Sequence, residues 1–349
     1  MKKHINIPIF IPHLGCPNQC VFCNQKTISG VTCFNPDRVV DIIEKALLTV
    51  PDGCEAEIAF FGGSFTGIDP VLMHRLLTIA HSYVERGLVS GIRCSTRPDY
   101  INENILLELK SYGVRVIELG LQSIDESVLS ATKRGHDFSS EKTACELIVK
   151  HGFSLVGQMM IGLPGSSVET ELKTADFIIS VGASAARIYP TVVFKETELC
   201  EMAASGKYKP LEIDEAIARC APVVKKFKDA GVEVIRVGLC ASENLSDEST
   251  YFAGPNHPAL GELVENEIYY ILIRDELQLM NIEEGGDVRI FIPRGSLSKA
   301  IGQKKKNKAR LIKEFSFSNA KFFESSELSE YSCRIEYKRG NTDYVLKDS

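Results

Sequence analysis

Short apolar runs alternate with longer helical patterns through residue 239, and this alternation most limits what the chain can fold into. The candidate strands are Ile5–Ile11, Glu57–Phe61, Gly91–Thr96, Arg115–Leu121, Leu155–Ile161, Ala185–Thr191 and Glu233–Val237. Between them lie helical patterns at Pro36–Val50, Pro70–Arg86, Asn102–Tyr112, Glu141–His151, Ser167–Val181 and Asp214–Ala230. A strand that returns in parallel to its neighbour needs a crossover, so the alternation predicts a parallel sheet with helices outside it. Continuous runs such as RVIELGLQS suit strands buried on both faces. The number of repeats favours an α/β fold built as a full or partial β/α barrel, with its chemistry at the C-terminal strand ends. Those ends carry FFGGSFTG, CSTRPD, ELGLQS, MIGLPGSS and IYPT.

Hydrophobic residues make up 44% of the 349 and charged residues 25%, which excludes a disordered chain. No apolar run reaches the roughly 18 residues of a membrane helix. The opening MKKHINIPIFIPHLGC is interrupted by Pro8 and Pro12, and no small-residue cleavage site follows. It reads as a first strand, and the chain as cytoplasmic, with no membrane partner. Eleven cysteines is a high count, but they are too scattered for a disulfide scaffold. Only Cys16, Cys20 and Cys23 cluster, as C-x3-C-x2-C directly after the first strand. Three thiolates converging from one polar loop, Pro17 to Gln19, can hold a metal centre, and soft sulfur favours zinc or iron–sulfur. Zinc would need a fourth ligand, for which Cys33, His13 and His4 are available. A four-iron cluster would keep one iron open to a ligand.

The position of this triplet in a strand–helix series resembles the radical SAM superfamily. The resemblance implies a 4Fe-4S cluster on Cys16, Cys20 and Cys23, with S-adenosylmethionine on the open iron. Reductive cleavage then gives a 5′-deoxyadenosyl radical. An electron donor such as ferredoxin or flavodoxin is implied as a partner. By the same resemblance Phe22 sits beside the adenine, and Gly62 and Gly63 face the methionyl amino group. Ser64 stands where many members have Glu. Gln122 and Arg134, twelve residues apart, approach the methionyl and ribose groups, an arginine fork being suited to a carboxylate. Arg97 and Asp99 of TRPD, with Tyr189 of IYPT, are the candidate catalytic or substrate-contacting residues at the mouth.

CSTRPDYI, ELGLQS, KRGH, IYPTVVFKETELCEMAASGKYKP and AGPNHPALGELV together resemble the catalytic subunit of Elongator and its short bacterial relatives, over most of residues 5–270. That likeness implies modification of tRNA or another RNA. Only 72 residues follow Leu277, with no acetyl-CoA-type phosphate loop in view, so the expected relative is one without the acetyltransferase domain. A further likeness, through LQS and the following arginine, runs to oxygen-independent coproporphyrinogen oxidase and leaves a tetrapyrrole or other small-molecule substrate as an alternative. The competing class is a non-catalytic RNA-binding protein with structural zinc.

Charge divides the chain further. From Gly286 onward there are fourteen Lys and Arg against eight Asp and Glu, in a protein of net charge −6. The expected organisation is a barrel at 1–240, a linker with a barrel-closing helix at 241–285, and a basic unit at 286–349. In that unit, strand DVRIFIP, helix SLSKAIG, a turn and helix NKARLIKEF resemble a KH RNA-binding module. The loop Gly302-Gln303-Lys304-Lys305 lacks the second glycine of the KH G-x-x-G. Lys299, Lys304, Lys305, Lys306, Lys308 and Arg310 are the candidate RNA contacts.

Overall fold

A computed structural model describes residues 4–17, 20–24, 33–239, 250–280 and 285–338, with the backbone of 345–347. Asn18 and Gln19 of the cysteine loop, and residues 240–249 of the predicted linker, lie outside these. The chain divides into two compact units, Met1–Ala216 with Lys226–Pro258, and Ile217–Lys225 with Ala259–Ser349.

In the first unit, strands β1 (His4–Ile11), β2 (Glu55–Gly62), β3 (Gly91–Thr96), β4 (Val114–Gln122), β5 (Ser154–Ile161), β6 (Ala185–Pro190) and β8 (Glu233–Val237) form one sheet. They lie in sequence order, and every neighbouring pair is parallel. The sheet curls into a half-barrel. The crossovers carry helices α1 (Val39–Leu47), α2 (Pro70–Glu85), α3 (Glu103–Ser111), α5 (Phe138–Lys150), α6 (Val168–Ser180) and α8 (Ile213–Asp229). Local chemistry sets their starts. Asp69 accepts from Leu72 N with Pro70 in the first turn of α2, and Ser167 and Thr170 form a reciprocal capping box on α6. Asn35 accepts from Asp37 N, as the sequence suggests, but the first turn from Pro36 to Arg38 is a 3-10 helix leading into α1. Four short elements were not expected: α4 (Glu126–Ala131), α7 (Glu198–Ala204), and the antiparallel pair β7 (Val193–Phe194) with β9 (Tyr251–Ala253). Strand β9 falls inside the segment read as linker.

Because all seven strands are parallel, their C-terminal ends share one rim. At that rim, buried residues on β1 to β6 adjoin half-buried ones. Phe10, Phe61, Ser95, Gln122, Met160 and Tyr189 are half-buried, whereas Ile9, Ile11, Phe60, Cys94, Leu121, Met159 and Ile188 are buried. The half-buried set lines the inner face of the half-barrel.

In the second unit, β10 (Asp287–Pro293) pairs in parallel with β11 (Asn319–Ser325) and antiparallel with β12 (Arg334–Lys338), which pairs with β13 (Val345–Lys347). Between β10 and β11 run α10 (Leu297–Ile301), a turn at Gly302 and α11 (Lys306–Glu314). The helix assigned from sequence to the linker, α9 (Leu260–Leu279), belongs with this unit. Its Tyr269, Tyr270, Ile273 and Leu277 share a buried core with Ile290, Leu311, Phe317 and Ile335.

Candidate active site

Cys16, Cys20 and Cys23 sit in the loop that leaves β1, pinned by its backbone on two sides. Val21 N donates to Thr132 O at 3.2 Å, and Leu199 N donates to Val21 O at 2.8 Å. Thr132 lies two residues before Arg134, and Leu199 lies in α7, so the unexpected short helices α4 and α7 brace the loop. Val21 is buried with Val193, Leu199 and Tyr208, and Phe22 packs against that cluster. The loop also dovetails with the turn after β2. A Cβ on Gly63 would overlap Leu14 O, and one on Gly15, whose φ is +74°, would overlap Ser64 O. Gly62, with φ +113°, has Ile11 backbone 3.1 Å from where its Cβ would be. Close approach to the end of β1 and to the start of the cysteine loop therefore accounts for the glycine pair. Ser64 is enclosed. Its N donates to Leu14 O, and its Oγ lies 2.9 Å from Thr96 Oγ1 and 3.3 Å from Arg97 N.

Two guanidinium groups address the cysteine sulfur. Arg134 Nη1 lies 3.2 Å from Cys20 Sγ, and Arg97 Nη1 lies 3.9 Å from it. Arg134 also donates to Gly120 O. Burial pushes the Cys16 thiol up, while the charges of Arg97 and Arg134 pull against it. Arg97 is 4% exposed; its Nε and Nη2 donate to Asp99 and Arg134 O, and Nη2 lies 3.3 Å from His136 Nδ1. Burial works against the Asp99 carboxylate, but His136 and the Arg97 guanidinium outweigh it and hold its pKa well below the usual range. His136 Nε2 in turn lies 2.9 Å from Glu141 Oε1. Burial drives the Glu141 carboxyl up to about 7.

Gln122 ends β4 with φ 74°, a left-handed conformation unusual for a side chain with a Cβ, beside a register shift in the ladder. Its Oε1 is buried without a hydrogen-bond partner. An orphaned acceptor next to the Arg134 fork suits a ligand with both donors and a carboxylate, as the methionyl group of S-adenosylmethionine has. Three soft thiolates from one loop are a donor set whose chemistry fits a cluster. Among the described residues, no three His, Cys, Asp or Glu side chains enclose a single-ion site. His4, offered from sequence as a fourth zinc ligand, lies 2.8 Å from Glu57 Oε2, and Cys33 is exposed with its Sγ toward Phe34 O. Tyr189 is half-buried on the inner face, beside Met160.

Below the rim lies a layer that the motifs did not reveal. Glu118 accepts from Arg93 Nη1 at 2.9 Å, Arg187 Nε at 2.7 Å and Gln158 Nε2 at 3.0 Å, and Glu57 accepts from Arg93 Nε at 2.8 Å. These groups floor the half-barrel, and full pairing is what makes their burial tolerable. The available signal was a charged or amide residue inside otherwise apolar runs: Glu57, Arg93, Glu118, Gln158 and Arg187.

Comparison with known proteins agrees with this geometry. A Radical SAM superfamily model matches residues 10–178, and a Radical_SAM C-terminal domain model matches residues 183–270. An uncharacterized Methanocaldococcus jannaschii protein, MJ0486, is 31% identical over 229 residues, covering 62% of this chain and 70% of that one. The tRNA uridine(34) acetyltransferase of Methanocaldococcus infernus is 36% identical over 129 residues, covering 35% of this chain and 23% of that one. The structure of Methanocaldococcus infernus Elp3 with an N-terminal deletion superposes with a TM-score of 0.61 at 23% identity. That superposition covers 79% of this chain and 64% of the other. The chain belongs to the radical SAM superfamily. Its cofactors are accordingly a 4Fe-4S cluster and S-adenosylmethionine. No helix among the described residues is long and apolar enough to cross a membrane.

In the second unit, Gln303, Lys304 and Lys305 are exposed on the turn between α10 and α11, and Lys306 is exposed at the start of α11. Asn307 is buried beneath them, its Nδ2 donating to Asn266 O at 2.6 Å and Ala300 O at 3.3 Å. Gly302 has φ +79° and no room for a Cβ against Asn307. Lys304 and Lys305 are left-handed, with φ 53° and 61°, so Lys305 supplies without glycine the conformation a second loop glycine would favour. Two other candidate RNA contacts are committed within the unit. Lys299 pairs with Glu265 at 3.3 Å, and Arg310 takes both oxygens of Glu267 while lying over the Tyr270 ring. Lys308 is half-buried on α11.

Proposed function

We propose that this chain is a radical SAM enzyme that modifies RNA, with tRNA as its substrate class and the cytoplasm as its place of action. The observation that carries the reading is the 36% identity to a protein named tRNA uridine(34) acetyltransferase. The exposed lysine turn supports it, being suited to phosphates. In this reading Cys16, Cys20 and Cys23 hold the cluster, while Gln122 and Arg134 take the methionyl group. When bound, these cofactors supply a 5′-deoxyadenosyl radical that removes a hydrogen atom from the substrate. The protein's own part is positional. Thr132 and Leu199 fix the cysteine loop, and the half-buried inner face with Tyr189 receives the substrate. Arg134 exchanges its bond to Gly120 O for a carboxylate. A ferredoxin or flavodoxin serves as the electron donor.

The test incubates reconstituted, reduced protein with S-adenosylmethionine and tRNA, and reads 5′-deoxyadenosine and modified nucleosides by mass spectrometry. Nucleosides from cells with and without the gene are compared in parallel. 5′-Deoxyadenosine that rises with tRNA, together with a nucleoside missing from the deleted strain, supports the reading. Cleavage indifferent to RNA and unchanged nucleosides would move the substrate to a small molecule.

A further inference from the structure

Arg97 reads from sequence as a substrate contact at the rim, yet its guanidinium is turned away from open space and locked. Nε and Nη2 hold the two oxygens of Asp99 at 2.9 and 3.0 Å, and Nη2 also reaches Arg134 O and lies 3.3 Å from His136 Nδ1. His136, with a side chain 1% exposed, is held from its other nitrogen by Glu141, which is fully buried on α5. What remains is Nη1, and it points at Cys20 Sγ from 3.9 Å. A line of contacts thus runs from α5 through the buried side chains of Glu141 and His136 to Arg97, and ends on a cysteine sulfur.

We infer that Arg97 sets the reduction potential of the cluster by presenting a fixed positive N–H to the Cys20 sulfur. This rests on the assignment of the cluster to Cys16, Cys20 and Cys23. Adding an electron makes the cluster more negative, and a cation beside one of its sulfurs stabilises that state over the oxidised one. Hydrogen bonds to sulfur and local charge are established levers on such potentials. Asp99 does not cancel the effect. It lies on the far side of the guanidinium and is partly exposed, so water screens it, whereas Nη1 faces a buried sulfur. Arg134 is nearer to Cys20, but its fork is the group assigned to the methionyl carboxylate. No such role is assigned to Arg97, whose Nε and Nη2 are taken up by Asp99 and Arg134 O.

The experiment is a redox titration of the anaerobically reconstituted full chain without S-adenosylmethionine, following the reduced cluster by electron paramagnetic resonance. Three proteins are compared at matched iron and sulfide content: wild type, Asp99→Asn, and Arg97→Gln combined with Asp99→Asn. The double variant replaces the ion pair with neutral groups of similar shape and leaves no buried charge unpaired. Its midpoint is expected below that of Asp99→Asn, and Asp99→Asn at or above wild type. Equal midpoints in the single and double variants would overturn the inference. Should the double variant take up no cluster, Arg97→Lys decides in the same titration, since it keeps the charge but cannot span Asp99 and Cys20 together. A lowered midpoint supports the role, and an unchanged one overturns it. A wild-type protein that binds no iron and sulfide fails at the earlier step, and sinks the cluster assignment along with the inference.

Discussion

At the scale of single residues, spacing and surroundings divide the work. Cys16, Cys20 and Cys23 share one loop, while Cys33 is exposed with its Sγ toward Phe34 O. Replacing any of the three by Ala should abolish the iron chromophore, and Cys33→Ala should retain it. Iron and sulfide analysis with the visible spectrum reads this directly, and a Cys33→Ala protein without iron would count against it. Glu141 offers a test of a different kind. Burial lifts its carboxyl from 4.5 to about 7, so the folded chain holds a proton through a window in which the unfolded chain has released it. The stability it contributes is whole below the lower value and is lost as pH rises through the upper one. Glu141→Gln carries no such proton. Its stability relative to wild type should therefore improve from pH 5 to pH 8, by at most roughly 1.4 kcal/mol per pH unit. Urea unfolding at both pH values checks this, and a constant difference would show the carboxyl to be ordinary. That the three cysteines share one loop was legible because it follows from their spacing. The duty of Arg97 was not, since a sequence names a guanidinium without saying which way it faces. The contacts among Arg97, His136 and Glu141 form only when loops distant in sequence fold together.

At the scale of elements, the strands were legible to within a residue or two because burial on both faces leaves continuous apolar runs. The helices between them announced their starts through Pro36, Asp69 and Ser167. The elements that escaped notice, α4, α7, β7 and β9, are too short for a period to emerge, and two of them hold the cysteine loop. That loop and the turn after β2 interlock through glycines, which makes the turn chemistry testable. Gly15→Ala places a methyl group on Ser64 O, with Gly67 C and Ile68 N each 2.7 Å away. Backbone cannot yield as a side-chain tip can, so the substitution should cost several times the left-handed strain alone and impair iron uptake. Gly53→Ala is the control. Its φ is +79°, but nothing lies within 4 Å of the new methyl, so only the left-handed cost of about 1–2 kcal/mol applies. Thermal melting of both variants separates overlap from strain, and equal losses would mean that the two loops can move apart.

At the scale of the whole molecule, charge decides how an acidic protein meets a polyanion. The net charge is −6, so attraction to RNA must be local. The basic bias after Gly286 was legible in the sequence, but its neutralisation was not. Glu265 and Glu267 on α9 take up Lys299 and Arg310, whereas Lys304, Lys305 and Lys306 are exposed and form the patch to test. Removing residues 287–349 would not isolate the patch. It would strip Tyr269, Tyr270, Ile273 and Leu277 of the partners that bury them, and the expected product is an aggregating protein. Substitution within the turn avoids this. Changing Lys304, Lys305 and Lys306 together to Ala keeps a Cβ at each site, so the left-handed strain at the first two is unchanged. Gly302 and Asn307, which shape the turn, are untouched. Each phosphate that the variant no longer neutralises should reduce the slope of log K against log salt by roughly 0.7 on a single strand, so the triple variant should drop by up to about 2. Weaker binding with the same slope would point to a change in the shape of the turn rather than to unpaired phosphates. A salt titration of tRNA binding to wild type and triple variant measures both quantities. Identical slopes and affinities would reduce the lysines to a solvated surface and leave the half-barrel rim as the place where substrate is recognised.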